Sequence, residues 1–236
     1  MIKGHLFASA AALVSMLATP AWAGDSLRGY ATLQGLMGLH SWGGASISAL
    51  EGDPRLGSLS DPSFSTSSTG GFYLSGNYVF PGERLHIGGY LSYQGTEMLL
   101  FADSQQTTTR PEGLRFSVDQ VVHDLSVGLS ARLAGRATRR FWFGAALDLG
   151  PSFLLSEGER LAAGFRLFPR LTFDHMYWTL RQRFQLGISV SMGLVIEAYA
   201  AGQLDYVTPD TGATASSDFS YSFVRPMLMV GGSFGL

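Results

Sequence analysis

Eight charged residues lie inside segments of alternating apolar and polar residues, always on the polar side of the alternation. They are Asp124, Arg132, Asp148, Arg166, Arg170, Asp174, Glu197 and Arg225. Asp205 lies on the same, polar side of the alternation, which we call the polar parity. His86 offers a group that titrates near neutral pH. These residues can line a selective or proton-responsive pore, or their charges can pair with one another inside the barrel. Because unpaired buried charge is costly and the two signs are nearly balanced, the pattern favours a network of arginine–carboxylate pairs.

Other chemistry finds little support in the residue pattern. The chain has no cysteine, which excludes a disulfide scaffold and a thiolate metal site. Asp174 and His175 are adjacent, but neighbouring strand residues point to opposite faces, whereas a nucleophile and its base must share hydrogen-bond reach. The acids in Gly43–Gly71 lack the calcium-loop spacing. The sequence predicts no catalytic residue, no cofactor site and no metal site.

Composition restricts the class of protein. The chain has 236 residues, 46% of them hydrophobic and 14% charged, against roughly 25% charged in soluble domains. The formal net charge of −2 gives no indication of a nucleic-acid partner.

The first 23 residues have the pattern of a secretory signal peptide. Lys3 provides the positive start, Leu6–Ala18 the apolar core, and Ala21 and Ala23 the small residues before a cleavage site. We therefore expect cleavage after Ala23 and a single exported domain over residues 24–236.

Eight period-two segments follow, and a period of two is the signature of β-strands. They cover about Arg28–Trp42, Gly71–Phe80, Leu85–Ala102, Phe116–Leu133, Phe141–Leu155, Ala163–Leu180, Phe184–Tyr206 and Phe219–Leu236. Pro169 and Pro226 fall inside two of them, which is unfavourable unless pairing is weak there.

The connections between these segments alternate in length. Three are short and charged: Pro81–Arg84, Ala134–Arg140 and Arg181–Arg183. Four are longer and mostly polar: about Gly43–Gly70, Asp103–Arg115, Ser156–Ala162 and Thr208–Asp218. Tight turns at one end and long loops at the other predict an all-β, antiparallel up-and-down transmembrane barrel of eight strands. Ten strands remain an alternative, if the first loop or Thr96–Asp103 contains a further hairpin.

Small residues dominate the polar side of the alternation, as in Gly88, Ser126, Gly128, Ser130 and Ser189. They suit the crowded interior of a narrow barrel, which puts the apolar side towards lipid. Aromatic residues near strand ends share the apolar parity, as interfacial girdles require: Phe72, Tyr78, Phe80, Tyr93, Phe141, Phe143, Phe184 and Phe234. The alternative is a soluble lipocalin-like barrel with its apolar face inward.

The chain ends in "PMLMVGGSFGL", Pro226–Leu236, in which apolar residues alternate up to Phe234 and Leu236. This ending resembles the assembly signal of small Gram-negative outer-membrane β-barrels, the broad group of OmpA-like, OmpX-like and OmpW-like proteins, although those usually end on Phe or Trp. The resemblance implies a monomeric outer-membrane protein surrounded by membrane lipid and lipopolysaccharide. It also implies the outer-membrane assembly machinery and periplasmic chaperones as partners.

The resemblance and the residue pattern together lead us to expect a non-enzymatic envelope-structural or surface-interaction protein. The alternatives are a narrow channel for small or hydrophobic solutes, a lipid-modifying enzyme and a soluble carrier. A barrel-type lipid A deacylase would need His and Ser two residues apart on one strand, and residues 24–236 contain no such pair.

Overall fold

The fold is seen in a computed structural model of the chain. It describes residues 29–38, 42–47, 59–104, 115–138, 140–156, 159–180, 184–207 and 214–235. Side chains are described for residues 29–38, 70–97, 121–138, 140–156, 162–177, 184–200, 220 and 222–235. The predicted signal peptide and Leu236 lie outside these ranges.

All secondary structure in the described residues is β-strand. The strands are β1 (Gly29–Gly38), β2 (Trp42–Ile47), β3 (Leu59–Val79), β4 (Leu85–Ser104), β5 (Arg115–Arg136), β6 (Phe141–Ser156), β7 (Glu159–Leu180), β8 (Phe184–Val207) and β9 (Thr214–Gly235). No helix in this part of the chain is long and apolar enough to cross a membrane.

The sheet closes on itself through antiparallel pairs between sequential neighbours from β3 to β9. Both β1 and β2 pair with β3 on one side and with β9 on the other. They therefore form one interrupted strand, and the barrel has eight strand positions. The predicted eight-stranded up-and-down antiparallel barrel is confirmed. A closed sheet leaves no unpaired edge.

All four of the predicted long loops are shorter than expected, because strands extend into them. The largest difference is in Gly43–Gly70, where β2 occupies the start and β3 begins at Leu59. Here β3 pairs with β4 from Leu59–Ser104 onward, with two register shifts. The Ser, Thr and Gly residues of this segment predicted a loop. Ladder hydrogen bonds, however, are made by backbone N–H and C=O groups, and every residue except proline has both. Similarly, β7 begins at Glu159 and β9 at Thr214.

The predicted turn Pro81–Arg84 joins β3 to β4. Phe80 N–H donates to the Leu85 carbonyl at 2.9 Å, and Glu83 N–H donates to the Phe80 carbonyl at 3.0 Å. Gly82 has a φ of 91° and Glu83 a φ of 57°. Both are in the left-handed region, which glycine tolerates without steric cost and glutamate rarely adopts.

The outer surface of the barrel is apolar and the interior contains the polar side chains. On β6, Trp142 and Asp148 are buried inside, whereas Phe143, Leu147 and Leu149 are exposed outside. Other large apolar residues exposed on the outer surface include Leu33, Met37, Leu129, Leu133, Phe165, Leu171, Ile188, Met192, Leu194 and Val230. A soluble lipocalin-like barrel has its apolar face inward, and the described residues show the opposite orientation.

Candidate functional site in the barrel lumen

All eight residues of the predicted charge network are buried inside the barrel, and the structure brings them together in three groups. We call the end of the barrel with the short connections the turn end, and the opposite end the loop end. The turn-end group is Arg132 and Asp174, the middle group is Asp148 and Arg170, and the loop-end group is Asp124, Arg166, Glu197 and Arg225. The side chain of Asp205 is outside the described part.

The turn-end group is a direct ion pair between Arg132 on β5 and Asp174 on β7. Tyr30 donates its hydroxyl to Asp174 Oδ1 at 2.5 Å, and its ring centroid lies 4.7 Å from the Arg132 guanidinium. The carboxylate therefore accepts from two donors, while the cation also lies over an aromatic face. Three strands are joined across the lumen in this way.

Apolar side chains close the barrel around the turn-end group. Val79, Ala134, Trp142 and Met176 form a buried cluster with Tyr30. His86 is buried beside it, with its ring 5.5 Å from Tyr30 and 6.3 Å from Trp142 between centroids. Its Nε2 lies 3.2 Å from the Glu83 carbonyl oxygen. The predicted titrating histidine is thus packed into the barrel floor.

The middle group joins Arg170 and Asp148 through two hydrogen bonds. Arg170 donates from Nε to Asp148 Oδ2 at 2.9 Å and from Nη2 to Oδ1 at 3.3 Å. Tyr73 donates to Asp148 Oδ2 at 2.8 Å and accepts from Arg170 Nη2 at 2.7 Å. This two-point arrangement of guanidinium and carboxylate is among the stronger polar contacts in proteins.

The loop-end group holds its four charges at longer distances. Arg166 Nη1 lies 3.4 Å from Glu197 Oε1 and 3.9 Å from Asp124 Oδ2. Arg225 Nη2 lies 3.8 Å from an oxygen of each carboxylate. The Ser152 hydroxyl joins the two acids, at 2.9 Å from Asp124 Oδ1 and 3.4 Å from Glu197 Oε1. The group thus contains two acids and two arginines, which balance in formal charge.

An apolar layer separates the middle group from the loop-end group. It consists of Leu36, Tyr73, Tyr90, Phe168, Val195, Met227 and Met229, all buried. Phe168 lies between the two arginines, with its ring centroid 5.5 Å from the Arg166 guanidinium and 5.9 Å from that of Arg170. The sequence analysis missed this layer, because it assigned apolar residues to the outer surface. Apolar side chains on the polar parity, as at Phe168 and Met229, were the available signal.

Metal binding finds no support among the described side chains. No group of three or more His, Cys, Asp or Glu residues in this part of the chain could hold a metal ion. Asp174 points inward, while the His175 ring stacks edge-on against exposed Tyr177 at 4.4 Å. The buried carboxylates have arginine, serine and tyrosine neighbours, which suits charge neutralisation.

The predicted assembly signal falls at the seam where the barrel closes. Phe234 on β9 pairs with Leu186 of β8 and with Ala31 of β1. Leu236 is beyond the last described residue. The last strand is therefore built into the wall on both sides, which leaves the recognition role of Phe234 and Leu236 a proposal.

Comparison with known proteins supports the fold alone. The sequence matches no family model and no curated protein. An eight-stranded barrel with an apolar outer surface and a polar, packed lumen has the fold of the Gram-negative outer-membrane β-barrels. Among solved structures, the outer membrane protein OprG from Pseudomonas aeruginosa aligns with a TM-score of 0.53 at 9% identity, over 89% of this chain and 96% of that one.

A second alignment is with the outer membrane protease OmpT from Escherichia coli. It has a TM-score of 0.39 and 8% identity, and covers 93% of this chain and 99% of that one. This likeness is too low to bear on activity.

Proposed function

We propose that this protein is an integral outer-membrane barrel with an envelope-structural or surface-interaction role, closed to solutes and without enzymatic activity. The observation that supports this proposal is the filled lumen. Arg166 and Arg225 of the loop-end group and Phe168 of the apolar layer are completely buried. Eight strands give an interior just wide enough for side chains. The paired charges then stabilise the barrel from inside and leave no path for an ion.

The outer surface supports the membrane location. Leu133 is 65% exposed and Met37 63% exposed, and such positions recur around the barrel. A continuous apolar surface of this kind is unfavourable in water and suits hydrocarbon, where the closed sheet satisfies every strand. The predicted signal peptide, cleaved after Ala23, would deliver the chain to the outer membrane.

Gel mobility tests the location, and single-channel recording tests closure. We expect the protein from outer-membrane fractions to resist SDS until boiled, and then to shift in mobility. In a planar bilayer, the folded protein should give no conductance steps above the lipid baseline. Recovery as a soluble protein without a shift would contradict the membrane location. Regular steps would contradict a closed lumen and support the channel alternative.

A second candidate function, a lateral path for small hydrophobic solutes, is favoured by a break in the barrel wall. The ladder between β7 and β8 skips from the pair Leu167–Ile196 to the pair Arg170–Gly193. Leu194 lies between Pro226 on β9 and, in the same register, Pro169 on β7. Prolines have no N–H, so neither Pro169 nor Pro226 can donate a ladder hydrogen bond to a neighbouring strand.

An apolar groove of about 620 Å³ covers this break on the outer surface. Pro169, Leu194 and Pro226 line it together with Ala145 and Met192. The wall is therefore weakly bonded where a hydrophobic molecule could leave the barrel for the bilayer.

Replacing both prolines tests this candidate. If the path operates, Pro169→Val with Pro226→Val should reduce uptake of a small aromatic hydrocarbon into proteoliposomes severalfold, because the restored N–H groups strengthen the wall. Pro151→Val is the matched control, since Pro151 is also a strand proline but does not line the groove. Equal uptake by both variants and by protein-free vesicles would rule out the lateral path.

A further inference from the structure

The two ends of the barrel differ in charge. The short connections and their flanks contain Arg84, Arg136, Arg139, Arg140, Arg181 and Arg183 with one acid, Glu83. The stretches between strands at the loop end contain Glu51, Asp53, Glu112, Glu157 and Asp210 with two arginines, Arg55 and Arg110. Of the six turn-end arginines, the structure describes Arg84, Arg136 and Arg140, which we call the arginine rim. The turn end therefore has an excess of positive charge, which could bind an anionic partner.

The arginine rim is spread over two neighbouring connections at the turn end. Arg84 and Arg136 belong to adjacent connections, which are joined by the Ala134 N–H donating to the Arg84 carbonyl at 2.7 Å. Arg136 and Arg140 flank the same turn, and all three side chains are exposed. Only Arg136 has an ion pair within the described residues, at 3.3 Å to Glu83 Oε2. The rim therefore keeps a net positive charge.

The neighbouring outer surface shows the depth of the rim in a bilayer. Tyr78 and Phe80 are exposed at the same turn and form an edge-to-face pair with centroids 5.1 Å apart. Aromatic residues at strand ends mark the level of lipid headgroups. Leu133 is three residues from Arg136, about 10 Å along a strand, and is exposed on the apolar surface. The rim thus begins where the apolar surface ends.

We propose that the arginine rim binds the phosphate groups of anionic phospholipids in the leaflet at the turn end. Guanidinium groups match phosphate oxygens with paired N–H donors. Headgroup depth and net positive charge together favour a lipid over a free ion. The inference rests on the proposed membrane location. Lipid binding by the arginine rim would set the depth and orientation of the barrel in the membrane.

Native mass spectrometry of the detergent-solubilised protein tests the rim. We expect phosphatidylglycerol to bind more tightly than phosphatidylcholine. Each arginine removed should weaken phosphatidylglycerol binding about fivefold, the effect of one basic residue near an anionic surface. Arg84→Gln with Arg140→Gln is the main variant, because Arg136 also lies over the Trp142 ring at 4.3 Å.

Two control variants sharpen the result. Glu83→Gln removes the acid of the same turn and should tighten binding. Arg110→Gln, in the segment that joins β4 and β5, should leave binding unchanged. Equal binding of the two lipids, or no loss in the double variant, would overturn the proposal. So would displacement by inorganic phosphate beyond that by sodium chloride of equal ionic strength. A boiling-dependent gel shift of the same samples separates failure of the rim from failure of the membrane fold.

Discussion

Replacing Asp148 with asparagine is expected to lower the free energy of unfolding by about 3–5 kcal/mol, the cost of leaving a buried charge without its partner. Arg170 donates twice to this carboxylate and Tyr73 donates once. An asparagine at position 148 keeps one acceptor oxygen but replaces the other with an N–H donor, and it carries no negative charge. The uncompensated guanidinium would remain in a fully enclosed site.

A double variant separates the pair from its surroundings. Asp148→Leu with Arg170→Met removes both charges and keeps an apolar side chain at each position. Replacing a buried ion pair with well-packed apolar residues is often neutral or stabilising, so most of the lost stability should return. Urea titration in phospholipid vesicles, followed by the boiling-dependent gel shift, measures both variants. Tyr73→Phe is the matched control and should cost about 1 kcal/mol, the net value of a typical hydrogen bond.

The outcome also bears on the proposed function. If Asp148→Asn unfolds at the same urea concentration as the parent chain, water must already solvate the guanidinium. The lumen would then be hydrated at its middle, and the closed-barrel proposal would lose its physical basis.

Strand parity was sufficient to place the eight lumen charges but not to pair them. Alternation assigns each residue to one face, and this holds from Asp124 on β5 to Arg225 on β9. The pairing depends on how strand tilt and stagger align residues across the lumen. Arg132 and Asp174 meet although β6 separates their strands, while Asp124 and Arg225 approach from β5 and β9. No local pattern encodes those distances.

The apolar layer was missed for a related reason. The rule that apolar residues face outward and polar residues face inward assigns Phe168 and Met227 to the wrong side, because both are buried in the lumen. A narrow barrel fills its interior by volume, and an aromatic ring between two guanidinium groups is stable there. Similarly, the first part of β3 was predicted as a loop because it is rich in Ser, Thr and Gly. Its structure is determined instead by backbone pairing with β4.

Introducing arginine at Leu147 is expected to cost about 2–4 kcal/mol of folding stability in a bilayer, if this position lies near the midplane. Leu147 is 39% exposed on the outer surface and pairs with Ala131 and Pro169, well inside β6. A charge there would lie in hydrocarbon without a partner. Ile188→Arg should cost less, because Ile188 is only four residues from the start of β8 at the turn end and the cost falls towards the interface.

The matched control is Ala137→Arg, since Ala137 is exposed in the turn between β5 and β6 and the same charge would meet water or headgroups. The three variants should therefore rank Leu147, Ile188, Ala137 in urea titrations after refolding into phospholipid vesicles. Detergent micelles offer water closer to each position, so the differences should shrink there. Equal stability of all three in vesicles would mean that the outer surface does not face lipid, which would contradict the membrane location whatever the lumen contains.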